Sequence, residues 1–339
     1  MSTGFTRIPV ETLEKTFYNT LIGYDMKESR AKQCAQIFTA NSLAGVYTHG
    51  VNRFPRFIQY VRDGYVHLNR EPKRTGGFGC IEQWNGNLGP GVLNALQSTE
   101  RAMQLATQHG LGCVALSNTN HWMRAGYYGW HAALSGYILI AWTNTLANMP
   151  AWGAIDSKLG NNPLVVAAPI ANNDAIVVDT AMSQYSYGAL DLYKNKGETL
   201  PVPGGYDTEG NLTQDPAAIL ASRRTLSIGY WKGTGLSLIL DVLATILSGG
   251  QATHEISKRP TEYGLSQVFI AMDPLKIRNQ REMEEAIMAI IKDYQEATPE
   301  TPGQSVRYPG ERQHKTIEEN TRLGIPVAES VWNEILALR

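Results

Sequence analysis

An α/β fold is the expectation for this chain of 339 residues, and three observations carry it. From about residue 75 onward, short apolar runs alternate with amphipathic stretches, the pattern of a sheet covered by helices. The first seventy residues instead read as helices joined by turns. The composition, 43% apolar and 18% charged, belongs to a globular chain able to bury a large core.

Thr12 can cap a first helix in which Leu13, Phe17 and Leu21 share one stripe, stopped at Gly23. A second helix runs through Ala31, Cys34, Ala35 and Phe38 toward Leu43 and ends near Gly45. Glycines then cluster at Gly76, Gly77, Gly79, Gly86, Gly89 and Gly91, ahead of a helix with Val92, Leu96 and Met103 on one face, closed by Gly110. Strands are expected at 113–116, 137–142, 163–169 and 175–179, with a helix over 127–134. The segment 191–225, rich in Pro, Gly, Asp and Asn, reads as an extended surface excursion. A buried helix at 236–247 and a strand at 268–272 follow. The next helix carries Met283, Ile287, Ile290, Ile291 and Tyr294 on one stripe. A capping-box pattern from Thr316 to Glu319 and a short helix at 331–338 complete the chain.

Thirty basic and thirty-one acidic residues leave a formal charge of −1, so no global field recruits nucleic acid. Three dispersed cysteines, Cys34, Cys80 and Cys113, form neither a disulfide framework nor a zinc pair. The N-terminus lacks the apolar core of a signal peptide, and 236–247 is short for a bilayer and broken by Asp241. A cytoplasmic protein without a membrane partner is the expectation. Gly-x-Gly-x-x-Gly, the phosphate loop, the Gly-x-Ser-x-Gly elbow and the His-Glu-x-x-His zinc helix are all absent, and no metal site is expected.

The chemistry concentrates in Tyr47-Thr48-His49-Gly50-Val51-Asn52-Arg53-Phe54-Pro55-Arg56-Phe57, a turn between helices. An imidazole there can hand over a proton near neutral pH, and a guanidinium can grip a carboxylate with two parallel hydrogen bonds. The plainer alternative is a histidine capping the preceding helix beside solvated arginines. Asn118, Asn120, His121 and Arg124 follow one expected strand, and Thr143, Asn144 and Asn148 follow another, where α/β sheets gather ligands. Asp179 ends a third; it either orients a histidine or caps the next turn. Gly86-Asn87-Leu88-Gly89-Pro90-Gly91 is a tight turn or an anion nest, and Lys232 on its Gly-flanked loop is a candidate phosphate contact.

Together these residues resemble the malate/L-lactate dehydrogenase family of the second type, over essentially the whole chain. The markers are Thr48-His49-Gly50 with Arg53, Asn120-His121, Gly160-Asn161-Asn162-Pro163, Val178-Asp179, Lys232-Gly233-Thr234-Gly235-Leu236 and Pro309-Gly310-Glu311. Asn161 stands where the family usually has threonine. Longer strings point to a member acting on sugar acids: Ile81-Glu82-Gln83-Trp84, Asn120-His121-Trp122-Met123-Arg124, Met149-Pro150-Ala151-Trp152-Gly153 and Gly229-Tyr230-Trp231-Lys232.

The resemblance implies an NAD(P)-binding fold that is not of the Rossmann type, with a mixed sheet and helical terminal regions packed together. It divides the chain into a helical part, 1–75, carrying the catalytic histidine; a cofactor-binding core, 76–305; and a closing segment, 306–339. It implies a homodimer using NADH, with NADPH the alternative, to reduce a 2-keto sugar acid. His49 would donate the proton, Asp179 would orient it, and Arg53 would hold the carboxylate. Thr48, His121, Thr143 and Asn144 would contact substrate. The cofactor would lie along Ala175, Ile176, Val177, Val178, Asp179, Thr180 and Ala181, with Asn161, Trp231, Lys232, Gly310, Glu311 and Arg312. The rivals are a malate, lactate, ureidoglycolate or cyclic-imine reductase of the same family, and a non-redox binding protein or hydrolase on the same scaffold.

Overall fold

The computed structural model describes residues 4–338. Its N-terminal part runs β1 (Phe5–Ile8), α1 (Val10–Gly23), α2 (Glu28–Leu43) and α3 (Phe54–Arg62). The core follows with β2 (Lys73–Phe78), β3 (Ile81–Asn85), α4 (Gly91–His109), β4 (Leu111–Thr119), α5 (Ala125–Leu134) and β5 (Ile138–Thr143). Next come β6 (Met149–Pro150), β7 (Ser157–Leu159), β8 (Leu164–Ile170), β9 (Asp174–Thr180), α6 (Tyr187–Lys196), β10 (Gly205–Tyr206), β11 (Leu212–Thr213), α7 (Pro216–Ser222) and β12 (Arg224–Thr225). The chain ends with α8 (Trp231–Ser248), α9 (Thr253–Ile256), β13 (Leu265–Met272), α10 (Gln280–Gln295), α11 (Arg312–Leu323), β14 (Ile325–Ala328) and α12 (Glu329–Leu336).

Seven strands form one mixed sheet in the order β2-β3-β4-β13-β5-β8-β9. Of the six pairings, β3 with β4 is parallel and the rest are antiparallel. Helices α4 and α5 cover one face, and α8 covers the other. The larger core lies on the α4–α5 side and continues into α1, α2 and α3. There the expected stripe Leu13, Phe17 and Leu21 is fully buried. Phe17 stacks on Phe54 at 4.2 Å, and Phe38 meets both Phe54 and Phe57 at 5.2 Å. This aromatic knot fixes α3, and through it the turn that carries His49. The termini meet: β1 pairs with β14, and Asn320 donates to Leu43 O at 3.0 Å and to Tyr47 Oη at 3.1 Å.

Several expectations are corrected. Helix α1 begins at Val10 behind Pro9, whose φ of −55° presets the first turn, so Thr12 lies inside the helix and its carbonyl accepts from Thr16. Thr316 likewise lies inside α11, bonded to the Arg312 carbonyl, rather than at a cap. The glycine-rich stretch holds strands β2 and β3, which a search for apolar alternation passes over. The excursion is not bare loop: α6, α7 and the small sheet β11-β10-β12 close around Leu190, Leu200 and Ile219.

Helix α8 is longer than 236–247, and it is half covered rather than buried. Leu240 and Ala244 face the sheet, while Leu238 is 55% and Ile246 68% exposed. By length and composition alone it is apolar enough to cross a membrane. In the fold, Asp241 anchors it by accepting from Asn144 Nδ2 and Thr253 N, both at 2.9 Å. On α10 only Ile291 of the expected stripe is buried.

Candidate active site

The His49 turn is set by its neighbours on α2. Two single 3-10 turns, Tyr47–His49 and Val51–Arg53, link α2 to α3. A Cβ at Gly50 would stand 2.8 Å from Ser42 N, so only glycine lets the chain pass there. Ser42 Oγ accepts from Val51 N at 2.8 Å, and Asn41 Nδ2 donates to His49 O at 3.1 Å. The imidazole therefore projects from a backbone held on both sides.

His121 reaches the same place from β4. The Gly86–Gly91 cluster is a packing turn, not an anion nest: a Cβ at Gly91 would strike the carbonyls of Asn120 and His121. Asn120 is structural, donating to the carbonyls of Tyr65, Leu88 and Gly89 at 3.1 Å each. The rings of His49 and His121 stack at 5.7 Å with 15° between their planes. His121 Nδ1 accepts the Met123 N–H at 2.9 Å, which places its own proton on Nε2.

Burial, then Arg53 and Arg124, push the His49 pKa down to about 4. Burial, Arg53, His49 and Arg56 push His121 well below the ordinary histidine value. Both imidazoles are thus neutral at physiological pH until an anion offsets the guanidiniums. Burial also lowers the Arg53 pKa, as does Arg56, and Glu262 opposes them. The Arg53 guanidinium makes no hydrogen bond among the described residues, whereas Arg56 donates to Tyr60 Oη at 2.9 Å. Of these two forks, that of Arg53 is free to meet a ligand.

These groups open into a cavity of about 1250 Å³. Thr48, His49, Arg53 and His121 line one end of it. Val177, Asp179 and Ala181 line it from the β9 side, Asn161 from the β8 side, and Gly310 and Arg312 from the C-terminal segment. The period of a strand explains why Ile176, Val178 and Thr180 do not: they point to the other face of β9. Ala175 is buried beneath the segment at Gly310, where Val177 N donates to Pro309 O at 3.2 Å.

Five further residues lie apart from the cavity. Trp231 and Lys232 stand exposed at the start of α8, and Glu311 turns away to accept from Gln295 at 3.2 Å. Thr143 and Asn144 are buried in the sheet and not free for substrate. Asn144 donates to Asp241 at 2.9 Å and to Gln251 O at 2.7 Å, and accepts from Ser266 N at 2.8 Å. Thr143 Oγ1 donates to Asn144 O at 2.9 Å. Their place at a strand end suggested ligand contact; their hydrogen bonds are spent on the sheet instead.

Asp179 does not pair with His49 here. Its Oδ2 accepts the Gly126 N–H at 2.7 Å, and His49 Nδ1 faces Thr48 Oγ1 at 3.3 Å. Enclosure by protein raises the Asp179 pKa; the Gly126 bond and Arg124 act against it, and the carboxylate stays open to cavity water. Arg124 feels the carboxylate of Asp179, and His49 in turn feels Arg124. Sequence reasoning passed over Glu262, whose burial raises its pKa and whose Oε2 accepts from Leu146 N at 3.1 Å. A lone glutamate in Pro260-Thr261-Glu262-Tyr263 carries no local signal.

The chain matches the malate/L-lactate dehydrogenase family model over residues 8–336. It is 44% identical over 333 residues to the 2,3-diketo-L-gulonate reductase of Escherichia coli O127:H6, covering 98% of this chain and 100% of the relative. The crystal structure of malate dehydrogenase from Entamoeba histolytica superposes with a TM-score of 0.92 at 24% identity, covering 99% of this chain and 97% of that one. Malate dehydrogenase from Pyrococcus horikoshii OT3 gives 0.88 at 26% identity, over 98% and 94%.

Proposed function

We propose, from the premise that this chain belongs to the malate/L-lactate dehydrogenase family of oxidoreductases, that it reduces the C2 carbonyl of 2,3-diketo-L-gulonate to 3-dehydro-L-gulonate with NADH. The observation that carries the proposal is a half-buried imidazole, His49, set beside an unbonded guanidinium, Arg53, in the wall of a large cavity. The name of the full-length relatives supports the choice of substrate.

The cavity fits a nicotinamide dinucleotide beside a small acid. Its volume exceeds the roughly 300–1,000 Å³ of sites for one small ligand. Gly310, at φ +102°, brings the C-terminal segment close to the wall; a Cβ there would stand 3.1 Å from Trp130 Cζ2. Val177, Asp179, Ala181, Gly310 and Arg312 would hold the cofactor, which when bound supplies a hydride. The fold would be a cofactor fold apart from the Rossmann type, as its single parallel strand pair suggests.

Arg53 would take the substrate carboxylate in a bidentate grip. That anion offsets the positive field on His49 and lets the imidazole hold a proton. As C2 gains hydride, His49 gives its proton to the carbonyl oxygen, and the product is a hydroxyl. A panel of 2-keto acids followed by nicotinamide absorbance tests this. The diketo acid should give the highest kcat/KM. Turnover of malate- or lactate-type acids alone would replace the substrate, and no NADH consumption with any acid would favour a binding protein or hydrolase.

The working unit would be a homodimer, supported by the apolar face that α8 leaves open at Leu238, Ile239 and Ile246. Sedimentation should give twice the chain mass of 37.4 kDa; a monomer at working concentration would reject it. The cytoplasm is the compartment in this proposal, consistent with three unpaired cysteines.

A further inference from the structure

Arg124 is a cavity residue that the mechanism above leaves idle. It sits at the N-cap of α5, aimed by Met123 in a left-handed conformation at φ 63°. Its Nη2 donates to Gln313 Oε1 on α11, the one hydrogen bond that its guanidinium makes among the described residues. A guanidinium has five N–H donors, so most of the Arg124 fork has no protein partner. Gly126 makes room for it: a Cβ there would stand 3.4 Å from Arg124 Nε and 2.9 Å from Asp179 Oδ2.

Arg53 and Arg124 enter the same cavity from different elements. Arg53 stands at the start of α3. Arg124 follows His121, whose ring stacks on that of His49 at 5.7 Å, and a Cβ on Gly126 would lie within 3.4 Å of both Arg124 Nε and Asp179 Oδ2. His49 feels both guanidiniums, and Arg124 in turn feels Asp179.

A 2-keto acid with its C1 carboxylate on Arg53 and its C2 oxygen at His49 leaves its C3 oxygen for the second guanidinium of the cavity, Arg124. We infer that Arg124 is a substrate-binding residue that selects 2-keto acids carrying an oxygen at C3. The inference rests on the proposed reaction, and it names what the site demands of the acid beyond its first two carbons. A fork with unpaired donors discriminates in this way because an acid lacking the oxygen leaves those donors unmatched.

The test compares hydroxypyruvate with pyruvate, which differ only in the C3 oxygen, in the wild-type enzyme and in Arg124→Met and Arg124→Lys. Wild type should favour hydroxypyruvate in kcat/KM by ~10- to 100-fold, the worth of a charge-assisted hydrogen bond. In Arg124→Met the ratio should fall to about one, and Arg124→Lys should recover part of it. A ratio unchanged in Arg124→Met would overturn the assignment. So would an equal loss on both acids with a raised KM for NADH, which would make Arg124 a cofactor contact. Matching thermal unfolding of the variants keeps misfolding out of the ratio. Wild-type inactivity on 2,3-diketo-L-gulonate would reject the proposed substrate while the hydroxypyruvate ratio still decides the role of Arg124.

Discussion

His49→Ala should lose ~100- to 10,000-fold in the rate of carbonyl reduction, the usual worth of a positioned general acid. NADH binding should survive, because the substitution leaves in place Val177, Asp179, Ala181, Gly310 and Arg312, which are proposed to hold the cofactor. A variant that kept near-normal turnover would remove His49 from the chemistry. The same substitution has a second readout. The folded imidazole has a pKa of about 4, against ~6.5 in an unfolded chain. Between those values the unfolded chain binds the proton and the folded one does not. Stability therefore falls as pH drops from ~6.5 toward 4, by up to about 3 kcal/mol, and is fully present above that window. Urea unfolding at the two ends of the window should show a smaller loss in His49→Ala than in wild type. His121 shifts in the same direction in both proteins, and removing His49 takes away one of the lesser influences that lower it, so the difference reports His49 together with that coupling. Equal losses would mean that the imidazole is not held neutral by the fold.

Arg53→Met should reduce kcat/KM for the keto acid by ~30- to 1,000-fold, the range for truncating one partner of a buried charge pair. The rise should fall mainly on KM, since the clamp binds the carboxylate in the ground state and the transition state alike. Arg53→Lys restores the charge but not the fork and should recover only part of the affinity. Glu262 explains why the methionine variant also carries a structural cost: burial already raises its pKa, and Arg53 is the largest influence opposing that rise. An unchanged KM for the acid would assign the carboxylate to another cation in the cavity.

Much of the sheet could be read from local pattern. The runs that became β4 and β5 are mostly buried and apolar, and those of β8 and β9 bury alternate apolar residues; such strands announce themselves. The edge strand β2 and its neighbour β3 do not, because Gly76 and Gly77 interrupt one, and the other is half open to solvent. The pairing of β1 with β14 joins opposite ends of the chain, so no window of sequence contains it. At the site, the turn with His49 and Arg53 was visible as a cluster of residue types. Arg124 and Glu262 become functional only through Gln313, Asp179 and Leu146, partners distant in sequence. Thr143 and Asn144 failed for the converse reason: a polar residue at a strand end looks the same whether it faces a ligand or bonds to the next strand. Helix α8 looked buried because its apolar residues run around more than one face, which a single chain cannot cover.

β13 occupies the centre of the sheet yet lies late in the chain, between β4 and β5. During synthesis the ribosome releases β2, β3 and β4 as one half-sheet and β5, β8 and β9 as another, each with an unpaired edge where the partner strand belongs. Those edges can pair with other chains until Leu265–Met272 emerges and seals both at once. The walls of the cavity come from both halves and from the segment after β13, so a nascent chain has no catalytic pocket to occupy. The cavity is complete only once both halves of the sheet and the segment after β13 are in place.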